Sequence, residues 1–230
     1  MFVKYPHTPH LTWLGPGQPR GDKVLTREGR NNFLAGELIV EEKLDGANLG
    51  ISIVADDLAV QNRGEYLRRP THAQFSTLWP WLEVRRQALF DLLGERLVLF
   101  GEWCYAVHTV RYDALPDWFL GFDIYDREAA RFWSVDRRNA LLSQLGASSV
   151  AEIARGRYDL HQLSHTVATE RSRYGSGPVE GIYLRRESRL WLEARAKIVR
   201  AEFTQTIQDH WSGRAIQRNQ LRRADGVIHP

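Results

Sequence analysis

Short apolar runs separated by polar turns dominate the first part of the chain. Leu38-Ile39-Val40 and Leu49-Gly50-Ile51-Ser52-Ile53-Val54 read as two strands, and the charged stretch between them, with Gly46, reads as their connection. Asp56-Asp57 marks the next turn, after which Leu58-Ala59-Val60-Gln61 starts a third strand. Between 77 and 93 the spacing changes. Leu78, Leu82, Leu89, Leu92 and Leu93 recur at helical intervals, which predicts a helix stopped by Gly94. Residues 97–103 and 118–125 predict further strands, 136–145 a helix closed by Gly146, and 161–178 a polar loop. Residues 179–184 and 190–192 predict a hairpin leading into 194–199, with a last helix over 201–211. Pro6, Pro9, Pro16 and Pro19 make 6–21 a loop. Many strands with a few helices predict an α+β fold: antiparallel β-sheets with flanking helices. No Gly/Ser linker divides the chain, so a single domain over 1–230 is expected, with its core at 38–200 and a short helical, basic extension at 201–230.

Composition narrows this only a little. The 230 residues are 43% hydrophobic and 26% charged, a globular balance. The net charge of +3 permits a polyanionic partner without demanding one. Cys104 is the only cysteine, which excludes an internal disulfide framework, and no secretory leader precedes the core; a reducing, cytoplasmic setting is expected. No apolar stretch approaches the roughly 18 residues of a membrane span.

Charge interrupts the apolar pattern at strands or at their ends. Lys43 and Asp45 follow the first strand and Arg63 the third. Glu102 follows Gly101, Asp123 follows Phe122, Glu180 precedes Gly181, and Arg195 and Lys197 end the series. Buried charges are costly unless paired or metal-bound, so such breaks point to a cleft. Nucleotidyl transfer suits this set. A lysine amine can attack phosphorus once it has lost its proton, and neighbouring cations ease that loss. Arginine and lysine neutralise phosphates, carboxylates hold Mg²⁺ and ribose hydroxyls, and an aromatic face stacks on a base.

In order and spacing these elements resemble the covalent nucleotidyltransferases, the superfamily of polynucleotide ligases and mRNA capping enzymes, and within it the ATP-dependent RNA ligases. Lys43-Leu44-Asp45-Gly46 matches the nucleophile motif, with Asn48 typical of the RNA ligase branch. Arg63, Phe100-Gly101-Glu102, Phe122-Asp123, Val179-Glu180-Gly181-Ile182 and Arg195-Ala196-Lys197 match the later motifs. The resemblance implies an ATP-grasp-like ligase architecture and a three-step reaction: enzyme adenylation, AMP transfer to a 5′-phosphate, and attack by a 3′-hydroxyl. It implies Lys43 as nucleophile, with Asp45, Glu102, Glu180, Arg195 and Lys197 in the catalytic set. Glu42, Asn48, Arg63, Glu102, Phe122 and Lys197 would border the nucleotide, and Asp45, Asp123 and Glu180 would organise or bind Mg²⁺ or Mn²⁺. RNA ends are the implied substrate, with an end-healing kinase or phosphatase as a possible partner.

Two departures stand out. Arg195 replaces a lysine, and arginine is not an equivalent donor. The stretch after Lys197 is too short for the OB domain of DNA ligases and capping enzymes, which favours the RNA ligase branch; Arg214, Arg218, Arg222 and Arg223 within it are candidates to grip a strand. The competing readings are a ligase for nicked DNA or mixed RNA/DNA, and a catalytically idle nucleotide- or RNA-binding subunit. Taken singly, Lys-x-Asp-Gly is more often a solvated turn, and Cys104 a small buried residue. His10 and Trp13 are further candidates to line the site. His7/His10 and His161/His165 are weak metal pairs.

Overall fold

The computed structural model describes residues 2–17, 24–69, 72–205 and 216–222. In chain order the first elements are α1 (Arg27–Leu34), β1 (Leu38–Lys43), β2 (Ala47–Val54), β3 (Asp57–Gln61), α2 (Leu78–Val84), α3 (Arg86–Leu93), β4 (Leu97–Trp103) and β5 (Phe119–Asp126). Then come β6 (Arg131–Phe132), α4 (Val135–Leu145), β7 (Ser148–Ser149), β8 (Glu152–Gly156), α5 (Leu160–Thr169), β9 (Gly181–Glu187), β10 (Leu192–Val199) and α6 (Ala201–Gln205). They form two sheets. One has the order β10-β9-β1-β8 and is antiparallel throughout. The other has the order β3-β2-β4-β5-β6, also antiparallel, with β7 added parallel to β5. This is the α+β arrangement expected from the strand pattern.

Alternation divides each sheet into an apolar and a polar face. Leu38 and Val40, Ile182 and Leu184, and Ala196 and Ile198 pack with Leu163 and Val167 of α5 and Phe33 of α1. Their neighbours along the same strands are Glu41 and Lys43, Tyr183 and Arg185, and Arg195 and Lys197, which the register sets side by side. In the second sheet Leu49, Ile51, Leu97, Leu99 and Ile124 pack with the leucines of α2, α3 and α4. Its opposite face carries Asn48 paired with Glu102, together with Val98 and Phe100. The two faces that carry these polar groups enclose the cavity described below.

Several local expectations need correction. The helix expected over 77–93 is two helices, because Arg85 (φ −106, ψ 4) leaves helical geometry between them. The polar loop expected at 161–178 contains α5, which buries only Leu163 and Val167 and so shows a thin apolar stripe. Its sequence signal is the Asp159–Gln162 capping box. The hairpin pairs β9 with β10, so Leu190 and Trp191 lie in the turn rather than in a strand. The last helix is described over Ala201–Gln205, and the rest of its expected span lies outside the described residues, as do Arg214 and Arg223. Among the described residues no helix is long and apolar enough to cross a membrane.

Gly181 opens β9 where β10 crosses closest. A Cβ there would lie 2.3 Å from the Ile198 carbonyl oxygen and 2.9 Å from Val199 Cα, both backbone atoms. Gly181→Ala is therefore expected to destabilise the fold by about 1–3 kcal/mol, through strand displacement. Chemical denaturation checks this, and an unchanged midpoint would contradict the close approach.

Candidate active site

β1 ends on Lys43, and a short connection returns the chain into β2 at Ala47. The bend is held from several sides. The Asp45 amide donates to the Tyr112 hydroxyl (2.9 Å), and Asp45 Oδ2 accepts from the amides of Thr109 (2.6 Å) and Val110 (2.8 Å). The Gly46 amide donates to Glu102 Oε1 (3.1 Å), and a Cβ on Gly46 would meet the Trp103 carbonyl at 2.7 Å. Gly46 thus lets the turn lie against β4 and brings Glu102 beside Lys43. Lys43 Nζ donates to both oxygens of Glu180, at 2.8 and 2.6 Å.

Lys43 opens onto a cleft of about 100 Å³. The first sheet contributes Glu41, Glu42, Lys43, Tyr183 and Lys197, and the second contributes Asn48, Glu102 and Phe122. Arg63 borders it just after β3. The N-terminal segment supplies Tyr5, His7 and Thr8, while His10 and Trp13 stack edge to face on each other instead (centroids 5.0 Å). Asn48 presents a buried carboxamide oxygen with no hydrogen-bond partner among the described residues.

Charge is finely balanced here. Burial alone would lower the Lys43 pKa, but the carboxylates of Glu180, Glu102 and Asp45 outweigh it and hold the ammonium above its ordinary value. Burial pushes Glu102 up to about 7 against the pull of Lys43 and Arg63. It likewise pushes Glu180 up to about 7 against the pull of Lys43. The resting lysine is therefore protonated at neutral pH, beside a carboxylate poised to exchange a proton with it. Burial also raises Cys104 well above the usual thiol range, which makes it an inert packing residue.

Three of the expected site residues are engaged by the protein itself. Asp123 is fully buried: Oδ1 accepts from Arg185 (2.6 Å), and Oδ2 accepts from Arg195 (3.2 Å) and from Tyr5. Burial would raise its pKa, yet these partners hold it below the carboxylate range. Asp123 is thus the counter-ion of two arginines. Arg195 is tied to that carboxylate and to the Tyr5 hydroxyl (2.7 Å) and lies 4.0 Å over the Phe132 ring. Glu42 lines the cleft, but its oxygens accept from the Ser172 hydroxyl (2.5 Å) and the Arg173 amide (2.8 Å) and so secure the 172–173 segment rather than a ligand. Among the described residues no group of three or more His, Cys, Asp or Glu side chains forms a metal cage.

Tyr5, Tyr183, Arg185, Arg138 and Tyr112 were not evident as site residues from the sequence. Arg185 and Arg138 both donate to the Phe122 carbonyl, at 3.1 and 2.7 Å, and so fix the aromatic residue bordering the cleft. Strand alternation from Lys197 and Arg195 to their partners Tyr183 and Arg185 is the one signal available for these. Tyr5 carries none.

Residues 36–199 match the family model described as RNA ligase. The chain belongs to the RNA ligase family. No curated protein matches it in sequence. Among solved structures, a variant of Naegleria gruberi RNA ligase with ATP and Mn is similar at TM-score 0.63 and 20% identity, covering 89% of this chain and 64% of that one. An apo variant of the same ligase gives 0.61 and 21%, covering 89% and 64%. That ligase with pyrophosphate gives 0.60 and 20%, covering 90% and 64%. This RNA ligase family member thus spans less than two thirds of those relatives' length and shares their fold.

The raised Glu102 pKa has a stability consequence. Its folded value of about 7 exceeds its ordinary 4.5, so the folded chain keeps a proton that the unfolded chain has released between them. Stability from this group is present below that ordinary value and lost as pH rises through the folded one. Glu102→Gln is expected to melt above wild type near about pH 8, with the gap closing toward about pH 4.5. Thermal melts across this range check it, and a pH-independent gap would contradict burial as the cause.

Proposed function

We propose that this chain is an ATP-dependent RNA ligase that joins 3′-hydroxyl and 5′-phosphate ends through a covalent lysyl-AMP. The observation that carries this reading is Lys43 Nζ, held by Glu180 at the edge of a cleft that also presents Glu102, Arg63, Phe122, Asn48 and Lys197. Phe122 offers an aromatic edge to a base, the unpartnered Asn48 oxygen a polar contact, and Glu102 an acceptor for ribose hydroxyls. Arg63 and Lys197 supply positive charge for the phosphates.

Lys43 first gives up a proton. Glu180, 2.6 Å away, is the nearest acceptor; its pKa of about 7 lies below the raised value of Lys43, so the transfer is uphill and the neutral amine is a minor form. Nζ then bonds to the α-phosphorus of ATP as the bond to pyrophosphate breaks. A 5′-phosphate oxygen next displaces Lys43 from that phosphorus, and the 3′-hydroxyl of a second end finally displaces AMP. Of the three acids expected at a metal, Asp123 is consumed by arginines and Asp45 is anchored by amides, which leaves Glu180 beside Lys43. That donor set fits a cation bound mainly through substrate phosphates. Mg²⁺ or Mn²⁺ held by the triphosphate near Lys43 would neutralise triphosphate charge and favour the neutral amine. A kinase or phosphatase that heals RNA ends would supply the required termini.

Incubation with ATP and Mg²⁺ or Mn²⁺ is expected to add about 329 Da to the intact mass, and Lys43→Ala to abolish the gain. Formation should speed up as pH rises above neutrality, because the carboxylates keep Lys43 protonated. Nicked all-RNA, mixed and all-DNA duplexes then identify the acceptor. A protein freed of bound AMP that gains no mass would refute the reading, and sealing confined to DNA would replace RNA as substrate.

A further inference from the structure

Residues 216–222 lie far along the chain from every motif of the site, yet they are built into its support. Among the described residues, the backbone hydrogen bonds of this segment all go to residues 105–115. The Val107 amide donates to the Gln217 carbonyl (2.9 Å), the Asn219 amide to Tyr105 (3.0 Å) and the Gln220 amide to Tyr112 (2.9 Å). The Leu115 amide donates to Gln220 (3.0 Å), and the Arg222 amide to Leu115 (2.7 Å). Arg218, expected as a strand-gripping residue, instead places its guanidinium 5.3 Å from the Tyr105 ring centroid.

Asn219 is the centre of this strap. It is 3% exposed, and its carboxamide is engaged on both sides. Nδ2 donates to the carbonyls of Cys104 (2.8 Å) and Ala106 (3.1 Å), and Oδ1 accepts from the Tyr112 amide (2.8 Å). One side chain thereby fixes the spacing between the two ends of the 104–112 loop. That same loop holds the turn after Lys43, through the Thr109 and Val110 amides on Asp45 and the Tyr112 hydroxyl on the Asp45 amide. Leu44 packs in a cluster with Cys104, Val110, Tyr112 and Leu115.

We propose that Asn219 is a positioning residue for the Lys43 turn: the 216–222 strap sets the 104–112 loop, and the loop sets where Lys43 Nζ stands relative to its substrate. The inference deepens the ligase reading and rests on it for its kinetic consequence. It follows from the sensitivity of in-line attack to displacements of about 1 Å. The far end of the cleft, at Phe122 and Tyr5, is held by other residues and should keep its ATP contacts.

Asn219→Ala is expected to slow lysyl-AMP formation by about 10-fold or more while the half-saturating ATP concentration stays within about 2-fold. Amide hydrogen exchange should accelerate at Asp45, Thr109 and Val110 and stay unchanged in β9 and β10. Tyr112→Phe removes the hydroxyl that accepts from Asp45, so adding Asn219→Ala to it should cost less than Asn219→Ala alone. Should Asn219→Ala fail to fold, Asn219→Ser, which keeps one donor, takes its place in every arm. Wild-type adenylation rates with faster exchange at Thr109 and Val110 would overturn the proposal, as would full additivity with Tyr112→Phe. Without any adenylation by wild type the ligase reading falls, and the exchange arm still judges the coupling: unchanged exchange at Asp45 overturns it.

Discussion

The structure depends on a buried ionic seam between its two sheets. Arg185 of β9 reaches Asp123 of β5 at 2.6 Å and Glu187 at 2.6 Å, and it lies 3.7 Å from Glu41 of β1. Arg138 of α4 pairs with Glu41 at 2.7 Å. Arg185, Arg138, Glu41 and Asp123 are all essentially inaccessible to water. Each charge is tolerable only because its neighbours are present, and breaking such a pair typically costs about 3–5 kcal/mol. The seam therefore fixes how the polar face of one sheet meets that of the other. Phe122, whose carbonyl accepts from both arginines, inherits its position from this junction.

Arg195 becomes intelligible in this setting. An ammonium there would be a compact point charge, whereas a guanidinium offers a planar fork and a face. Arg195 bonds Tyr5 and Asp123 through a single guanidinium nitrogen while its face lies over Phe132. The N-terminal segment is thereby stitched into the seam, with Tyr5 also packed against Phe100 and Phe122. In this structure the charge of Arg195 is spent on holding a wall of the cleft.

The Lys43 end has a different logic. Its turn is held by backbone amides and a hydroxyl, with Asp45 anchored to the 109–110 amides and Gly46 pressed on β4, while Lys43 itself is ion-paired to Glu180. Such contacts fix the turn without adding positive charge beside Lys43. Burial, against the pull of Lys43, leaves the nearby carboxylates Glu102 and Glu180 poised near neutrality. The seam provides rigidity at one end of the cleft, and the balance of charge provides reactivity at the other.

The alternation of apolar and polar residues was enough to place most strands, and the charged interruptions at Lys43, Glu102 and Lys197 were enough to suggest a shared cleft, because strand period and charge burial are local facts. Helix α5 was illegible from hydrophobic periodicity, since two buried residues make too thin a stripe among polar neighbours, and only its capping box marks it. Asp123 and Arg195 were visible as residues but not in their roles. Only cross-sheet packing shows that the two meet each other and Tyr5 instead of a ligand. Asn219 gave no local sign at all, because its three partners lie more than a hundred positions away. Chemistry that sits at strand ends is written in the sequence by where hydrophobicity stops; which charges face the cleft and which are spent holding it is decided by partners that only the folded chain brings within hydrogen-bond distance.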